Sequence, residues 1–430
     1  MSGHVLVVGA GIVGLCAARE LRARGFDVTV LEREADGRAR ASSGNAGIVV
    51  PSHFVPLAAP GVVGQALRWM FDPLSPFYVR PRASLDLARW GWRFWRSATR
   101  EHVRRAAPLL LELNLASRRL YDGLVADLGA DVGFTPRGLL MLCRTDHALA
   151  EEARTAEQAR ALGLDARVLD AAAVRAQEPE AELDAIGAVH VAEDAHLDPG
   201  ALLAALRERL VADGVRFEAG AAVAKARAAS DRVEVEVATA EADASVGTAA
   251  TVRTAFAGDH LVLAGGAWSA ALGRDLGLRL LLQPGKGYSL TIERPSQRLR
   301  AAAILVEARA SASMIGGRLR IGGTMEIAGF DPRVSPTRLE GVKRAAQRYF
   351  PRLTRAELDG ATPWMGLRPV TPDGLPYLGR APRQPRVVVA TGHGMMGLSL
   401  GPVTGRLVGE LVAGERPSVD LSLLDPARHG

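Results

Sequence analysis

The sequence predicts an α/β fold, and three features near the N-terminus support this. An apolar stretch over residues 5–8 runs directly into Gly9-Ala10-Gly11-Ile12-Val13-Gly14, and the following residues have the periodicity of an amphipathic helix. A second strand, residues 27–31, ends at Glu32. The glycines permit a tight turn, close approach of a pyrophosphate and close packing of helix on strand. The order of these features predicts a Rossmann-like nucleotide-binding domain.

The acid that ends the second strand narrows the choice of nucleotide. A carboxylate at this place accepts hydrogen bonds from a ribose diol and repels a ribose 2′-phosphate. The unpaired N–H groups at the start of the helix attract the phosphates. Glu32 therefore favours the ADP-ribose part of FAD or NAD over that of NADP.

Length and charge exclude several classes of protein. A chain of 430 residues has room for two domains or for one large domain with interleaved segments. It contains no run of about 18 apolar residues, so no transmembrane helix is predicted. The net charge of +6 is carried by scattered arginines, which predicts no nucleic-acid binding but favours small anionic substrates. The first strand begins at His4 with no room for a signal peptide before it, so we expect a cytoplasmic protein.

The two cysteines and the remaining polar residues suggest no competing chemistry. Cys16 and Cys143 have neither metal-ligand nor redox spacing, and both are predicted to be buried thiols in a reducing compartment. We find no pattern typical of a Ser/His/Asp triad and predict no metal site.

Nucleotide-domain segments recur along the chain. Residues 261–269 are typical of a buried strand that turns on glycines into a helix, and residues 387–390 enter a second glycine-rich turn before a final helix. We therefore assign 1–55, 195–285 and 360–430 to the nucleotide-binding domain. Residues 56–194 and 286–359 are assigned to an interleaved α+β substrate domain on a mostly antiparallel sheet. Residues 238–251 are predicted to form a hairpin loop.

An aromatic helical region over residues 67–105 allows two interpretations. Its tryptophans are Trp69, Trp90, Trp92 and Trp95, interleaved with Arg68, Arg93 and Arg96. We favour packing of the tryptophan stripe on its own domain. The alternative is contact with a membrane surface, and peripheral membrane contact stays open.

Two strings near the C-terminus carry a resemblance to a known family. Residues 366–376 read Gly-Leu-Arg-Pro-Val-Thr-Pro-Asp-Gly-Leu-Pro, and residues 391–397 read Thr-Gly-His-Gly-Met-Met-Gly. Together they resemble the C-terminal signature of the D-amino-acid oxidase superfamily of flavoproteins, and most of all the bacterial D-amino-acid dehydrogenases and glycine oxidases. The resemblance extends over nearly the whole chain, through the glycine motif and residues 45–47, 59–62, 69–71, 286–292 and 322–330.

The resemblance implies FAD as the cofactor, with its adenine end against the glycine motif and its flavin ring beneath a sheet of the substrate domain. Some relatives attach the flavin covalently in the loop at residues 42–47. This loop contains neither Cys nor His, so non-covalent FAD is expected. Alone, the loop is equally typical of a surface turn.

The same resemblance assigns roles to two C-terminal residues. Arg368 is expected to bind the substrate carboxylate, for which a planar guanidinium offers two parallel donors. The alternative is a structural salt bridge. The turn at residues 392–397 opens the last helix, whose N-terminus is expected to face the flavin pyrimidine. His393 either contacts the flavin there or packs as a capping residue.

The implied reaction is oxidation of an amino acid C–N bond. The resemblance places the α-hydrogen at flavin N5, so that hydride transfer gives an imine that water hydrolyses. The electron acceptor stays open between oxygen and a quinone or carrier. Two other classes remain, an NAD-linked dehydrogenase and a flavin-binding relay subunit of a complex. The first leaves the C-terminal strings unexplained, and the retained Arg368 argues against the second.

The chain departs from the dehydrogenase pattern at two places. D-amino-acid dehydrogenases carry Asp-Glu-Thr-Tyr-Lys where residues 306–310 read Val-Glu-Ala-Arg-Ala, so Arg309 replaces a tyrosine. His53 likewise stands where those enzymes have a tyrosine. Arg309 predicts a second anion site, and hence a glycine-type substrate such as an N-substituted glycine with a second carboxylate. The alternative is a surface pair of Arg309 with Glu307.

These arguments give two sets of candidate site residues. The candidate catalytic residues are Arg368, Arg309, His53 and Tyr288. The candidate FAD-binding residues are Gly9, Gly11, Ile12, Val13, Gly14, Glu32, Arg33, Ser43, Gly44, Asn45, Ala46, Gly47, Val223, Ala264, Gly265, Trp268, Gly366, Arg368, Gly392, His393, Gly394, Met395, Met396, Gly397 and Leu398.

Overall fold

A computed structural model describes residues 3–35, 41–242 and 249–429. The helices in these ranges are α1 (Ile12–Ala23), α2 (Val62–Trp69), α3 (Leu85–Ser97), α4 (Arg100–Leu128), α5 (Asp146–Ala161), α6 (Ala171–Gln177), α7 (Pro199–Ala212), α8 (Ser269–Asp275), α9 (Pro336–Tyr349), α10 (Arg355–Asp359) and α11 (Gly397–Ala413). The strands are β1 (His4–Val8), β2 (Asp27–Glu32), β3 (Ile48–Val49), β4 (Phe77–Val79), β5 (Leu139–Cys143), β6 (Ala166–Asp170), β7 (Gly187–Val191), β8 (Ala195–His196), β9 (Arg216–Ala219), β10 (Ala222–Ala228), β11 (Val233–Ala242), β12 (Ala249–Gly258), β13 (His260–Leu263), β14 (Gln283–Ile292), β15 (Ala302–Leu305), β16 (Ala310–Ile315), β17 (Arg318–Ile327), β18 (Thr362–Val370), β19 (Tyr377–Ala381) and β20 (Gln384–Thr391).

A six-stranded sheet forms the nucleotide domain, in the order β19-β20-β13-β1-β2-β9. Strand β1 pairs in parallel with β2 on one side and with β13 on the other. The chain leaves β1 through α1 to reach β2, so the strand order reverses beside β1. Ligands of open α/β sheets bind at such a switch point, outside the carboxyl ends of the strands. The predicted α/β class is confirmed.

The second unit is a nine-stranded, mostly antiparallel sheet. Eight strands follow the order β18-β14-β17-β16-β15-β5-β7-β6, and β4 pairs with β17. Strand β18 belongs to this sheet because it pairs along its length with β14. It thus lies outside the nucleotide domain to which the sequence-based boundary at residue 360 assigned it. The strand is buried mainly in its second half, and sequence order alone does not reveal which sheet supplies its partner.

A three-stranded antiparallel sheet, β10-β11-β12, packs beside β13. Strands β11 and β12 continue as far as Ala242 and from Ala249, so the loop predicted over residues 238–251 is shorter than expected. The small residues there pair across the hairpin. The middle of that prediction, residues 243–248, lies outside the described residues.

The tryptophan stripe divides between the interior and the surface. Trp90 packs with Met325 and Ile327, and its indole N–H donates to the carbonyl oxygen of Val370 at 3.0 Å. Trp92 and Trp95 are instead 52% and 60% exposed, so the packing interpretation is wrong for these two residues. The stripe is too wide for α3 to bury, because only one side of this helix faces the sheets. No helix of the described residues is long and apolar enough to cross a membrane.

Candidate active site

A single cavity of about 740 Å³ joins the two large sheets. The glycine motif after β1 lines one end, and Arg368 of β18 lines the other. Cavities that hold whole cofactors or drug-sized ligands span about 300–1,000 Å³. The cavity is thus large enough for a cofactor that extends from one sheet to the other.

The glycine motif owes its shape to two steric requirements. Gly9 has a φ of 103°. A Cβ on Gly14 would lie 1.9 Å from the carbonyl oxygen of Gly9. A side chain at either position would strain the turn or separate helix from strand. Gly14 itself does not line the cavity, and its contribution is to hold α1 against β1.

The surroundings of Gly11 show whether the cavity has room for a nucleotide. Its φ of −70° and ψ of 175° are open to any residue. Among the described residues, a Cβ there would meet only the Ser42 hydroxyl within 4 Å, at 3.5 Å. The protein itself therefore does not require glycine at this position. A side chain would project into the cavity, where the phosphates of a dinucleotide approach the backbone.

Backbone N–H groups hold the carboxylate of Glu32 at the end of β2. Glu32 is buried, its Oε2 accepts the Ala10 N–H at 2.8 Å, and its Oε1 accepts the Glu34 N–H at 2.9 Å. Glu32 also lines the cavity, so its carboxylate lies where a ribose diol would bind. The N–H of Ile12, at the start of α1, donates to the Ser42 hydroxyl at 3.2 Å.

Other residues predicted to bind the nucleotide line the cavity as well. The Arg33 guanidinium lies 3.8 Å above the ring of Trp268. Val223, Ala264 and Gly265 line the wall beside this pair. A cation stacked on an indole gives a flat, partly apolar surface. It is suited to the adenine end of a dinucleotide.

The loop at residues 42–47 is fixed to the large sheet by its backbone oxygens. Arg320 donates to the carbonyl oxygens of Asn45 at 2.9 Å and Ser43 at 3.3 Å. Trp364 packs so closely that a Cβ on Gly44 would lie 2.0 Å from its ring, and one on Gly366 would lie 2.1 Å from it. The other face of the loop, including Gly44, Asn45 and Ala46, lines the cavity.

Five candidate FAD-binding residues do not line the cavity, namely Gly14, Ser43, Gly47, Gly366 and Gly392. They support the wall from behind. A Cβ on Gly47 would lie 2.1 Å from the Leu197 carbonyl oxygen, and one on Gly392 would lie 2.6 Å from Thr371. The sequence motifs thus mix residues that face the ligand with residues that let the backbone pack.

A second helix N-terminus opens on the cavity. Helix α11 begins after Met396 without a side-chain cap, and Gly394 to Leu398 line the wall. Uncapped N–H groups at a helix start stabilise negative charge. His393 also borders the cavity, but its Nε2 is bonded to the Thr404 hydroxyl at 3.0 Å. Burial lowers the pKa of His393 to about 4, so its ring is neutral.

Arg368 is a cation with no ion-pair partner among the described residues. Its guanidinium donates to the Thr324 carbonyl oxygen at 2.7 Å, and no carboxylate of the described residues forms an ion pair with it. Burial lowers its pKa to about 10, so it stays charged at neutral pH. It lies over Gly287, where a Cβ would be 2.1 Å from its Cζ. Within the described part of the chain Arg368 thus forms no structural salt bridge, and its positive charge lies at the cavity wall.

Thr324 shows how this charge is held. Its φ of 68° places a β-branched residue in the left-handed region, where such residues are rare. The strained backbone directs its carbonyl oxygen at Arg368. Strain of this kind persists where the surrounding structure enforces it, and it often accompanies a binding site.

The structure corrects the role expected for Tyr288. Its hydroxyl donates to Glu326 Oε2 at 2.5 Å, and both burial and this hydrogen bond raise its pKa. In the β14–β18 pair Tyr288 is opposite Met365, and Arg368 is three residues further along β18. Side chains alternate between the faces of a strand, so the phenol and the guanidinium project to opposite faces. Tyr288 borders the cavity but does not direct its hydroxyl at a ligand of Arg368.

Arg309 lies in the turn between β15 and β16, where it lines the cavity and is exposed. Its φ is 50°. The expected alternative, a pair with Glu307, is wrong. Glu307 instead accepts the N–H groups of Arg144 and Thr145, at 2.9 and 3.0 Å, and the Tyr349 hydroxyl. Within the described ranges, no hydrogen bond or ion pair occupies the Arg309 side chain.

His53 also lines the cavity that Arg368 and Arg309 line. Its Nδ1 lies 3.0 Å from the Ser52 hydroxyl. Burial lowers its pKa to about 4. Sequence reasoning did not find Trp364, Ser52 or Asp194, which hold this site together. No local motif marks these residues. Trp364 and Asp194 reach the site through pairing between distant strands, and Ser52 gains its partner Asp194 in the same way.

Comparison with known proteins identifies the family. Residues 4–411 match the model of the family described as FAD dependent oxidoreductase. The chain belongs to this family. A D-amino acid dehydrogenase of Methylobacterium radiotolerans is 35% identical, over 98% of this chain and 99% of its own. One from Cereibacter sphaeroides is 32% identical, over 99% of this chain and 95% of its own. Among solved structures, glycine oxidase from Geobacillus kaustophilus is 26% identical, with a TM-score of 0.77 over 100% of this chain and 99% of its own.

Membership of the FAD dependent oxidoreductase family confirms several predictions made from the sequence. The resemblance to the D-amino-acid oxidase superfamily is confirmed, and so is FAD as the cofactor. The expected group, FAD-dependent amino acid oxidases and dehydrogenases, is confirmed by the family match and the relatives. An NAD-linked dehydrogenase is thereby ruled out. The glycine motif, Glu32 and the two helix N-termini are the parts of this chain that suit FAD.

Proposed function

We propose that this chain oxidises the C–N bond of an amino acid whose carboxylate is bound by Arg368. The observation that carries the proposal is the guanidinium at the cavity wall, held by a carbonyl oxygen and lacking a carboxylate partner among the described residues. An Arg–carboxylate pair with two parallel hydrogen bonds fixes the orientation of the substrate as well as its charge. Reduction of the bound flavin by amino acids, followed anaerobically, tests the proposal.

The chain contributes orientation and exclusion of water. Bound FAD supplies a two-electron acceptor for the hydride that leaves the substrate Cα. Arg368 fixes one end of the substrate, while Trp90, Phe94 and Met141 give the neighbouring wall an apolar surface. Holding the reacting atoms in one geometry in a dry site accounts for a large part of such a rate enhancement. The imine product is hydrolysed by water to a 2-oxo acid and ammonia or an amine.

The Arg309 guanidinium makes no hydrogen bond or ion pair with a described residue, although the charge of Glu152 on α5 acts on it at longer range. This side chain narrows the proposed substrate class. A second guanidinium at the same cavity repels a substrate amine unless a further carboxylate offsets its charge. We therefore propose a glycine-type substrate with a second carboxylate, such as an N-substituted glycine. Its glycine end binds at Arg368 and its distal acid at Arg309.

Replacing Arg309 with alanine should raise KM for an N-carboxyalkyl glycine by about 10-fold or more, because an exposed charge-assisted contact contributes about 1.5 kcal/mol. KM for glycine or sarcosine should barely change. Steady-state kinetics of the wild type and of Arg309→Ala with each substrate measure these KM values. Arg154→Ala, which removes an exposed charge of α5 outside the cavity, is the matched control. Equal effects on both substrates, or a wild-type preference for D-alanine, would contradict the second anion site.

A second candidate function is a D-amino-acid dehydrogenase that passes electrons to a quinone or carrier. The curated relatives that are 35% and 32% identical carry this name, which favours it. The two candidates share the Arg368 site and differ in substrate and acceptor. Reoxidation of the reduced enzyme by oxygen and by a soluble quinone, compared at equal concentration, separates oxidase from dehydrogenase.

We also propose that FAD is held without a covalent bond, since the loop at residues 42–47 contains no Cys or His. Acid precipitation should then release all of the flavin into the supernatant. Flavin that remains with the pellet would contradict this.

A further inference from the structure

A chain of three side chains links the cavity to a buried acid. Asp194 has no exposed surface, and its Oδ1 accepts the Ser52 N–H at 3.0 Å. The Ser52 hydroxyl donates to Asp194 Oδ2 and lies 3.0 Å from His53 Nδ1. The antiparallel pair of β3 and β8 brings the two segments together, since Val49 is opposite Ala195.

The direction of these hydrogen bonds fixes the histidine tautomer. A hydroxyl has one proton, and in Ser52 it is donated to the carboxylate. The oxygen of Ser52 then only accepts, so Nδ1 of His53 carries the ring proton and Nε2 carries the lone pair. No described residue bonds to Nε2, which is not buried from the cavity that His53 lines. The lone pair is therefore available on the side of His53 that lines the cavity.

We propose that Asp194, Ser52 and His53 form a proton relay that removes a proton from the substrate ammonium group before C–N oxidation. The inference rests on the proposed function. His53 Nε2 accepts the ammonium proton as Nδ1–H is passed to the Ser52 oxygen and the Ser52 proton is passed to Asp194 Oδ2. The substrate becomes a neutral amine, and the carboxylate becomes a carboxylic acid. Asp194 and Ser52 are positioning residues, because only His53 reaches the cavity.

The environment of Asp194 suits it to hold this proton. Burial raises the pKa of Asp194 to about 7. Glu193 raises it further, whereas Arg118 and the hydrogen bonds from Ser52 lower it. By itself His53, whose pKa burial lowers to about 4, is a poor proton acceptor at neutral pH. The hydrogen bonds through Ser52 connect His53 to the Asp194 carboxylate, which is a better proton acceptor.

The relay predicts a pH dependence with a definite sign. Only ionised Asp194 accepts a proton, so flavin reduction at saturating substrate should rise with pH through about 7 and then level off. Protonated Asp194 donates to the Ser52 oxygen, Ser52 then donates to Nδ1, and the ring proton moves to Nε2. The His53 tautomer should therefore change over the same pH range.

Rapid-mixing reduction of the holoenzyme under anaerobic conditions, together with ¹⁵N NMR of the labelled histidines, tests the relay. Asp194→Asn and Ser52→Ala should each lose the step near pH 7 and reduce the limiting rate at pH 8 by about 10-fold or more, with unchanged FAD content. Ser52→Thr, which keeps the hydroxyl, should restore both. The NMR spectrum, assigned with His53→Gln, should show Nδ1–H above pH 7 and Nε2–H below it in the wild type and in Ser52→Thr, but not in Asp194→Asn or Ser52→Ala.

The outcomes separate this inference from the proposed function. Normal reduction of the wild type, with the same pH profile and rate in Asp194→Asn and Ser52→Ala, would overturn the relay alone. A His53 tautomer with Nε2–H at pH 8 would also overturn it. A wild-type flavin that no amino acid reduces would overturn the proposed function, and the relay with it.

Discussion

Arg368→Ala retains bound FAD and loses more than about 100-fold in kcat/KM for amino acids. The loss corresponds to about 3 kcal/mol, the cost of leaving a desolvated carboxylate without its charged partner. The melting temperature should stay the same or rise, because the guanidinium is buried and no carboxylate of the described residues pairs with it to offset its desolvation. Anaerobic flavin bleaching and thermal unfolding measure the two effects.

Two comparisons sharpen this experiment. Arg368→Lys keeps the charge but not the parallel donors, so it should recover only part of the lost activity. Arg119→Ala, on the exposed side of α4 and away from the cavity, should change neither activity nor flavin content. Unchanged bleaching in Arg368→Ala would place the carboxylate elsewhere. A large loss of thermal stability would mean that the arginine is structural.

The second large effect is expected at Gly11. Gly11→Leu should fold yet bind no FAD, because the backbone tolerates any residue. Of the described residues, the new side chain would meet only the Ser42 hydroxyl before it fills the phosphate end of the cavity. Circular dichroism and thermal unfolding report the fold, and flavin absorbance after addition of FAD reports binding. Full flavin binding by this variant would contradict the placement of the phosphates.

Other glycines supply the controls for this experiment. Gly14→Ala should lower stability by about 1–3 kcal/mol or more, since its Cβ would lie 1.9 Å from the Gly9 oxygen. Gly123→Leu, on the exposed side of α4 with nothing within 4 Å of its Cβ, should change neither stability nor FAD binding appreciably. The contrast between Gly11 and Gly14 separates contact with the cofactor from packing.

Local features allowed the nucleotide end of the site to be predicted from the sequence. The turn at Gly9, the acid at Glu32 and the turn before α11 each lie within a few residues of a strand end, where geometry follows from neighbouring residues. The stacking of Arg33 on Trp268 was not predicted as a contact, although both residues were candidates. It depends on the spacing between β2 and β13 in the folded sheet.

The substrate end required the structure because its residues meet through strand pairing. Tyr288 and Arg368 look equivalent in the sequence motifs, but the register of β14 on β18 turns their side chains to opposite faces. Glu307 is two residues from Arg309, yet backbone N–H groups of the β5–α5 turn occupy its carboxylate. Asp194 is 141 residues from His53, and only the pairing of β3 with β8 joins them.

Anaerobic spectroscopy of the purified chain tests the central claim most directly. The account predicts about one FAD per chain, with a flavin spectrum that bleaches on addition of an amino acid and yields the corresponding 2-oxo acid. Bleaching should be fastest with a glycine-type substrate that carries a second carboxylate. A chain that holds FAD but is not bleached by any amino acid would contradict the account and favour an electron-relay subunit.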